Sequence, residues 1–203
     1  MKESLIATSI AVACGLFLWA VIWSILRRRV APIFDRGLRV LCAVPALHLA
    51  SGLAFYATSA TLFQNFNAEE LAVDELSANE QAVMDTLSGV QYDGGLLMLI
   101  MLAFVIAQIV LLFIRKTPFY INEAVGAVST MVLLFYFNLI NDNIQRVFEF
   151  NESNHVLTSS FLADTNQYYL IMQGVMFFFI LALVVAHIVK FKISREYFNT
   201  AVR

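Results

Sequence analysis

The sequence predicts an all-α polytopic membrane protein, with five transmembrane helices in one bundle and short amphipathic helices in the outer loops. Three observations carry this reading: an apolar composition, five apolar runs of membrane-spanning length, and basic charge gathered on one side. Of 203 residues, 60% are hydrophobic and 14% charged, and the mean hydropathy is +0.75. Soluble domains run at about 45–50% apolar and about 25% charged. The formal charge of −2, from 13 basic and 15 acidic residues, speaks against a nucleic-acid binder.

A helix crossing the roughly 30 Å hydrocarbon core needs about 20 mainly apolar residues. The first such run covers residues 5–26 and stops at Arg27, Arg28 and Arg29. The second covers 38–63, and the third covers 95–114, closed by Arg115 and Lys116. The fourth, 121–140, begins after Pro118, and the fifth, 168–189, ends at Lys190 with Lys192 just beyond. The first run reads as a retained span. Lys2 is balanced by Glu3, and the basic cluster follows the apolar run, whereas in a cleaved leader it precedes it.

Eleven of the 13 basic residues fall on one side of these spans: Arg27, Arg28, Arg29, Arg36, Arg39, Arg115, Lys116, Lys190, Lys192, Arg195 and Arg203. The positive-inside rule makes that side cytoplasmic or its equivalent, with the N-terminus outside and the C-terminus inside.

The outer loop at 64–94 is acidic and carries two capping-box patterns, Asn67 with Glu70 and Ser77 with Glu80. Val83, Leu87 and Val90 then recur at helical spacing, and Gly89 or Gly94–Gly95 is a plausible stop. This predicts one or two short surface helices. The second outer loop, 141–167, holds Phe148, Phe150 and Phe161, which predicts packing beyond that of a solvated linker. It also holds the sequon Asn151-Glu152-Ser153.

Polar residues at membrane depth are costly and mark candidate sites. At about 1.5 Å per residue, His48 lies roughly 13 Å past Arg39 and Gln108 roughly 10 Å before Arg115, so the two can meet. Asn138 and Gln173 fall at similar, more outward depths, roughly 22–25 Å from the inner anchors. His48, Ser51, Gly52, Phe55 and Ser59 share one face of the second span, with Pro45 one turn earlier. The candidate intramembrane polar site is therefore His48, Ser51, Gln108, Asn138 and Gln173. It reads either as a site for a proton, quinone or haem, or as interhelical packing, and packing is favoured. His187 lies only three residues before Lys190, which puts it roughly 9 Å from the depth of His48 and disfavours one haem held by both. No cofactor or metal is expected.

Ala7, Ala11 and Gly15 recur every four residues on the first span, as do Ala46, Ala50 and Ala54 on the second. Such stripes let helix backbones approach closely. Cys14 and Cys42 both lie in apolar runs and read as small packing residues with no disulfide or CxxC role. No internal repeat, HExxH, GxSxG or P-loop is present, so an enzyme is not favoured. The expected function is a non-catalytic accessory, scaffold or assembly subunit of a larger membrane complex. The alternative is a homo-oligomeric channel or small transporter, and the third reading is a haem- or quinone-handling protein. The expected partners are the lipid bilayer and other membrane subunits or copies of the chain.

Overall fold

A computed structural model describes residues 2–29, 35–70, 78–114, 119–154 and 159–200. They form five α-helices: α1 (Lys2–Arg27), α2 (Asp35–Glu70), α3 (Ala78–Phe113), α4 (Phe119–Asn154) and α5 (Ser159–Thr200). All five are long and apolar enough to cross a membrane. No strand occurs among the described residues.

Helices α2 to α5 pack in sequence order, and α2 also packs on α5, which closes a four-helix arrangement. The reason lies in a continuous buried seam that is apolar over most of its length. On α3 the buried residues are Val83, Leu87, Val90, Gly94, Leu97, Met101, Val105, Gln108 and Leu112, alternating mostly by three and four. That spacing averages about 3.6 residues, the repeat of the α-helix itself, and keeps one stripe facing its neighbours along the whole helix. On α4 the stripe runs through Asn122, Ser129, Leu133, Ile140, Ile144, Val147 and Asn151. On α5 it runs through Thr165, Met172, Met176, Phe179, Leu183 and Lys190. Most of the apolar members form one core with Val44, Phe55 and Leu62 of α2.

The same seam corrects the expectation of separate loop helices. Residues 78–94 continue into α3, 141–154 continue α4, and 159–167 begin α5. Neither Gly89 nor Gly94–Gly95 stops α3. Gly94 is instead a contact point, because a Cβ there would collide with Ser59 Oγ on α2. Ser77 lies outside the described residues, as do Arg115 and Lys116. Asn151 is buried on the α4 seam, so the sequon is not open to a glycan in this fold. Phe148 and Phe150 pack against the core.

Aromatic residues mark two levels. Trp19, Trp23 and Tyr120 lie near the end that carries Arg27, Arg28, Arg29, Arg36 and Arg39, the basic end. Tyr56, Tyr92 and Tyr136 lie toward the other, acidic end. From Arg39 to Tyr56 on α2 is about 26 Å, and from Tyr120 to Tyr136 on α4 about 24 Å. That thickness is on the scale of a hydrocarbon core bounded by aromatic belts. Beyond Tyr56, Tyr92 and Tyr136 the helices run on for about 20–27 Å. Leu62, Val83, Leu87, Ile144 and Val147 pack inside this extension, while Asp85, Asp142, Glu149 and Glu152 are exposed on it.

Helix α1 packs on the outside of α2. Gly15 sets the approach: a Cβ there would stand 2.9 Å from both the Ala46 carbonyl oxygen and Ala50 Cβ. Ala11 clusters with Ala50, Ala54 and Phe179. At the basic end, Trp19 donates to the Arg39 carbonyl at 2.9 Å and Trp23 to Asp35 at 3.0 Å. Cys42 is buried, but Cys14 is exposed on α1, contrary to its expected packing role, because α1 has only one face against the other helices.

Candidate functional site

Near the basic end, the seam stops being apolar. Gln108 on α3, Asn122 on α4 and Lys190 on α5 occupy seam positions, and His48 faces them from α2. All four are buried, Lys190 with only 1% of its surface exposed. Polar groups removed from water are costly unless they find each other, and these do.

The contacts form a closed circuit. His48 Nε2 lies 3.1 Å from Thr130 Oγ1, which lies 3.3 Å from His187 Nε2. His187 Nδ1 is 3.4 Å from Glu123 Oε2, and Glu123 Oε1 is 3.3 Å from Lys190 Nζ. Lys190 donates to Asn122 Oδ1 at 2.6 Å, and Asn122 Nδ2 donates to the Gln108 carbonyl at 3.4 Å. The Gln108 amide returns to His48 Nδ1 at 3.3 Å. Ser51 donates to the His48 carbonyl at 2.9 Å. The circuit thus takes residues from all of α2, α3, α4 and α5.

Proton bookkeeping follows from these bonds. Thr130 has one hydroxyl proton, and its Oγ1 lies 3.0 Å from the Gly126 carbonyl as well as beside both imidazoles. If Thr130 donates to Gly126, both histidines must donate through Nε2. His48 is then neutral, with Nδ1 accepting from Gln108. His187 Nδ1 then meets the Glu123 carboxylate only with a second proton held between them. If Thr130 donates to His187, that extra proton is absent. The same heavy-atom arrangement accommodates two proton counts.

Two acceptors remain without a hydrogen bond: Gln108 Oε1 and Glu123 Oε1, the latter within ion-pair distance of Lys190 but poorly aligned. Glu123 and His187 are 17% and 18% exposed, and they line a groove of about 580 Å³ between α4 and α5 with Tyr120 and Phe191. Gly126 makes room for the imidazole: a Cβ there would lie 2.6 Å from His187 Cε1.

Of the residues singled out from the sequence, His48, Ser51 and Gln108 come together here. Gln173 belongs to a second cluster nearer the acidic end, where its amide donates to Tyr169 Oη at 2.6 Å and to Asn141 Oδ1 at 3.0 Å. Asn138 is exposed and joins neither cluster. Between the clusters the core is apolar, filled by Phe55, Leu133, Met176 and Leu183.

Two sequence expectations need correction. Lys190 is not a surface anchor: it is buried and paired inside the helices. The depth reckoned from it therefore misplaced His187, whose ring centroid is 6.2 Å from that of His48. The residues do not suit an iron between the rings, because Thr130 Oγ1 already bonds both Nε2 atoms there. The side chain of Lys192 lies outside the described residues. Thr130, Asn122, Glu123 and Lys190 were missed as site members. A usable signal existed, since Lys190 stands seven residues after Leu183 on the seam and three after His187. Among the described residues, no group of three or more His, Cys, Asp or Glu is placed to hold a metal.

Comparison with known proteins found no match: no family model, no curated protein and no solved structure matches the chain.

Proposed function

We propose that this chain is a non-catalytic component of a larger membrane assembly, an accessory, scaffold or assembly subunit. The N-terminus lies outside and the basic end faces the cytoplasm or its equivalent. The carrying observation is the closure of the polar circuit: each helix of the four contributes, and the partners are found within the chain. Replacing a buried ion pair by apolar residues of similar size is often neutral or stabilising, so stability alone does not explain this one. A polar layer in a mostly apolar seam does fix helix register, and a fixed register suits a scaffold.

The packed extension at the acidic end supports the same reading. It presents exposed Asp85, Asp142, Glu149 and Glu152 on a rigid frame, a surface suited to a protein partner with basic residues. A pore between copies lined by His48 and Gln108 is disfavoured, because these residues face the interior of one chain. A pore through one chain is disfavoured by the apolar core between the two polar clusters.

A second reading, a proton-handling carrier, draws on one observation: Glu123, whose Oε1 has no hydrogen bond, lines with His187 a groove between α4 and α5, while Gln108 Oε1 is left unbonded in the interior. Ionisable residues within spans often serve transport. Affinity purification in mild detergent with native mass measurement separates the readings. The scaffold reading expects different chains to co-purify at fixed stoichiometry. A protein that runs as a monomer or a closed homo-oligomer, with no other chain, counts against it.

A further inference from the structure

On the outer face of the bundle, where α1 leans on α2 beside α5, two apolar recesses adjoin. They have volumes of about 340 Å³ and about 610 Å³ and share Trp19, Ala43 and Phe178 as lining. The small side chain of Ala43 leaves this space open between the three helices. Along α2 the combined groove runs from Ala50 to Arg39, about 16 Å. That is close to half of the roughly 30 Å hydrocarbon core.

Arg39 is the charged residue in its lining, at the basic end. Its side chain is 52% exposed, yet the guanidinium is held in place, 2.8 Å from Asp35 and 5.0 Å above the Trp23 ring. Arg27 stands over the same indole at 5.2 Å. A fixed guanidinium at the level of lipid headgroups, at the mouth of a slot one leaflet deep, matches one chemistry: a negatively charged phosphate carrying an alkyl chain. Arginine suits phosphate because several of its donors lie in one plane, and Asp35 occupies only part of them.

We propose that this groove binds an anionic phospholipid, with an acyl chain along Ala43 and Phe178 and the phosphate at Arg39. Charge complementarity selects this occupant over a zwitterionic lipid, and the groove's depth of a single leaflet fits an acyl chain better than a full transmembrane helix.

The test is native mass spectrometry of the detergent-purified protein titrated with phosphatidylglycerol or with phosphatidylcholine of the same chains. The wild type is expected to retain phosphatidylglycerol preferentially. Arg39→Gln should reduce that preference about fivefold, the effect of one arginine near an anionic surface. Arg28→Gln, outside the groove, should leave it unchanged. Ala43→Phe, which fills the junction of the two recesses, should lower retention of phosphatidylglycerol. Equal retention of both lipids by the wild type overturns the proposal without reference to any variant. So does unchanged retention by Ala43→Phe, or a disulfide between copies at Ala182→Cys in bilayers, which would put a second chain in the groove.

Discussion

Lys190 and Glu123 face each other from α5 and α4 with 3.3 Å between Nζ and Oε1, and the ammonium is almost wholly buried. Each charge is tolerable there because of the other, and because Asn122 takes a further proton of the ammonium at 2.6 Å. Removing one partner leaves an uncompensated charge inside the helices. Lys190→Met alone should therefore destabilise the protein by about 3–5 kcal/mol. Lys190→Met combined with Glu123→Gln should recover most of that loss. Unfolding in a fixed detergent, followed by circular dichroism, measures both, and a double variant as unstable as the single one would contradict the pairing.

Thr130 is the hinge between the two histidines. Thr130→Val keeps the shape but strips the oxygen that lies 3.1 Å from His48 Nε2 and 3.3 Å from His187 Nε2. Buried groups left without partners cost about 1–3 kcal/mol, whereas Thr130→Ser should cost clearly less. The difference between these two unfolding midpoints isolates the hydroxyl from the packing.

Glycines separate close approach from simple conformational freedom. At Gly15 an added methyl meets the Ala46 backbone oxygen at 2.9 Å, which cannot rotate away. Gly15→Ala should cost about 1–3 kcal/mol through overpacking of α1 against α2. At Gly89 nothing lies within 4 Å of the added carbon, and the residue sits inside α3. Gly89→Ala should stabilise the helix by up to about 1 kcal/mol. Paired thermal unfolding of the two variants should show opposite signs.

Orientation is open to direct labelling. With Cys14 and Cys42 replaced, single cysteines at Arg28 and Asp142 should react with a membrane-impermeant maleimide from opposite sides of sealed vesicles. Asp142→Cys should label from outside in intact cells, and Arg28→Cys only after permeabilisation. Labelling of both from the same side would contradict the five-span topology.

The spans were legible because hydropathy and charge report directly on the cost of burying groups in hydrocarbon. The long extensions were only half legible. Val83, Leu87 and Val90 carry the right spacing, but Gly89, Gly94 and Gly95 suggest a stop, whereas α3 runs through all three and packs Gly94 on Ser59. The His48–Gln108 contact followed from depth alone. Lys190 and Glu123 did not, because a charge near the edge of a hydropathy window looks the same whether it anchors in water or pairs across helices. Only the seam, seven residues on from Leu183, distinguishes the two.

We propose that the polar circuit fixes the helix arrangement of a partner-bound subunit and is not a site of chemistry or transport. The most direct test is to express His48→Gln, and separately Glu123→Gln with Lys190→Met, in place of the native chain and measure the recovered assembly by native mass and by the activity of the host complex. His48→Gln keeps a hydrogen-bonding side chain and the double variant leaves no unpaired charge, so the helix register is kept. The proposal predicts the same partner chains at the same stoichiometry and largely intact activity, with a small loss of stability. Normal insertion and assembly with abolished activity would contradict it and make the circuit a working proton or ligand site.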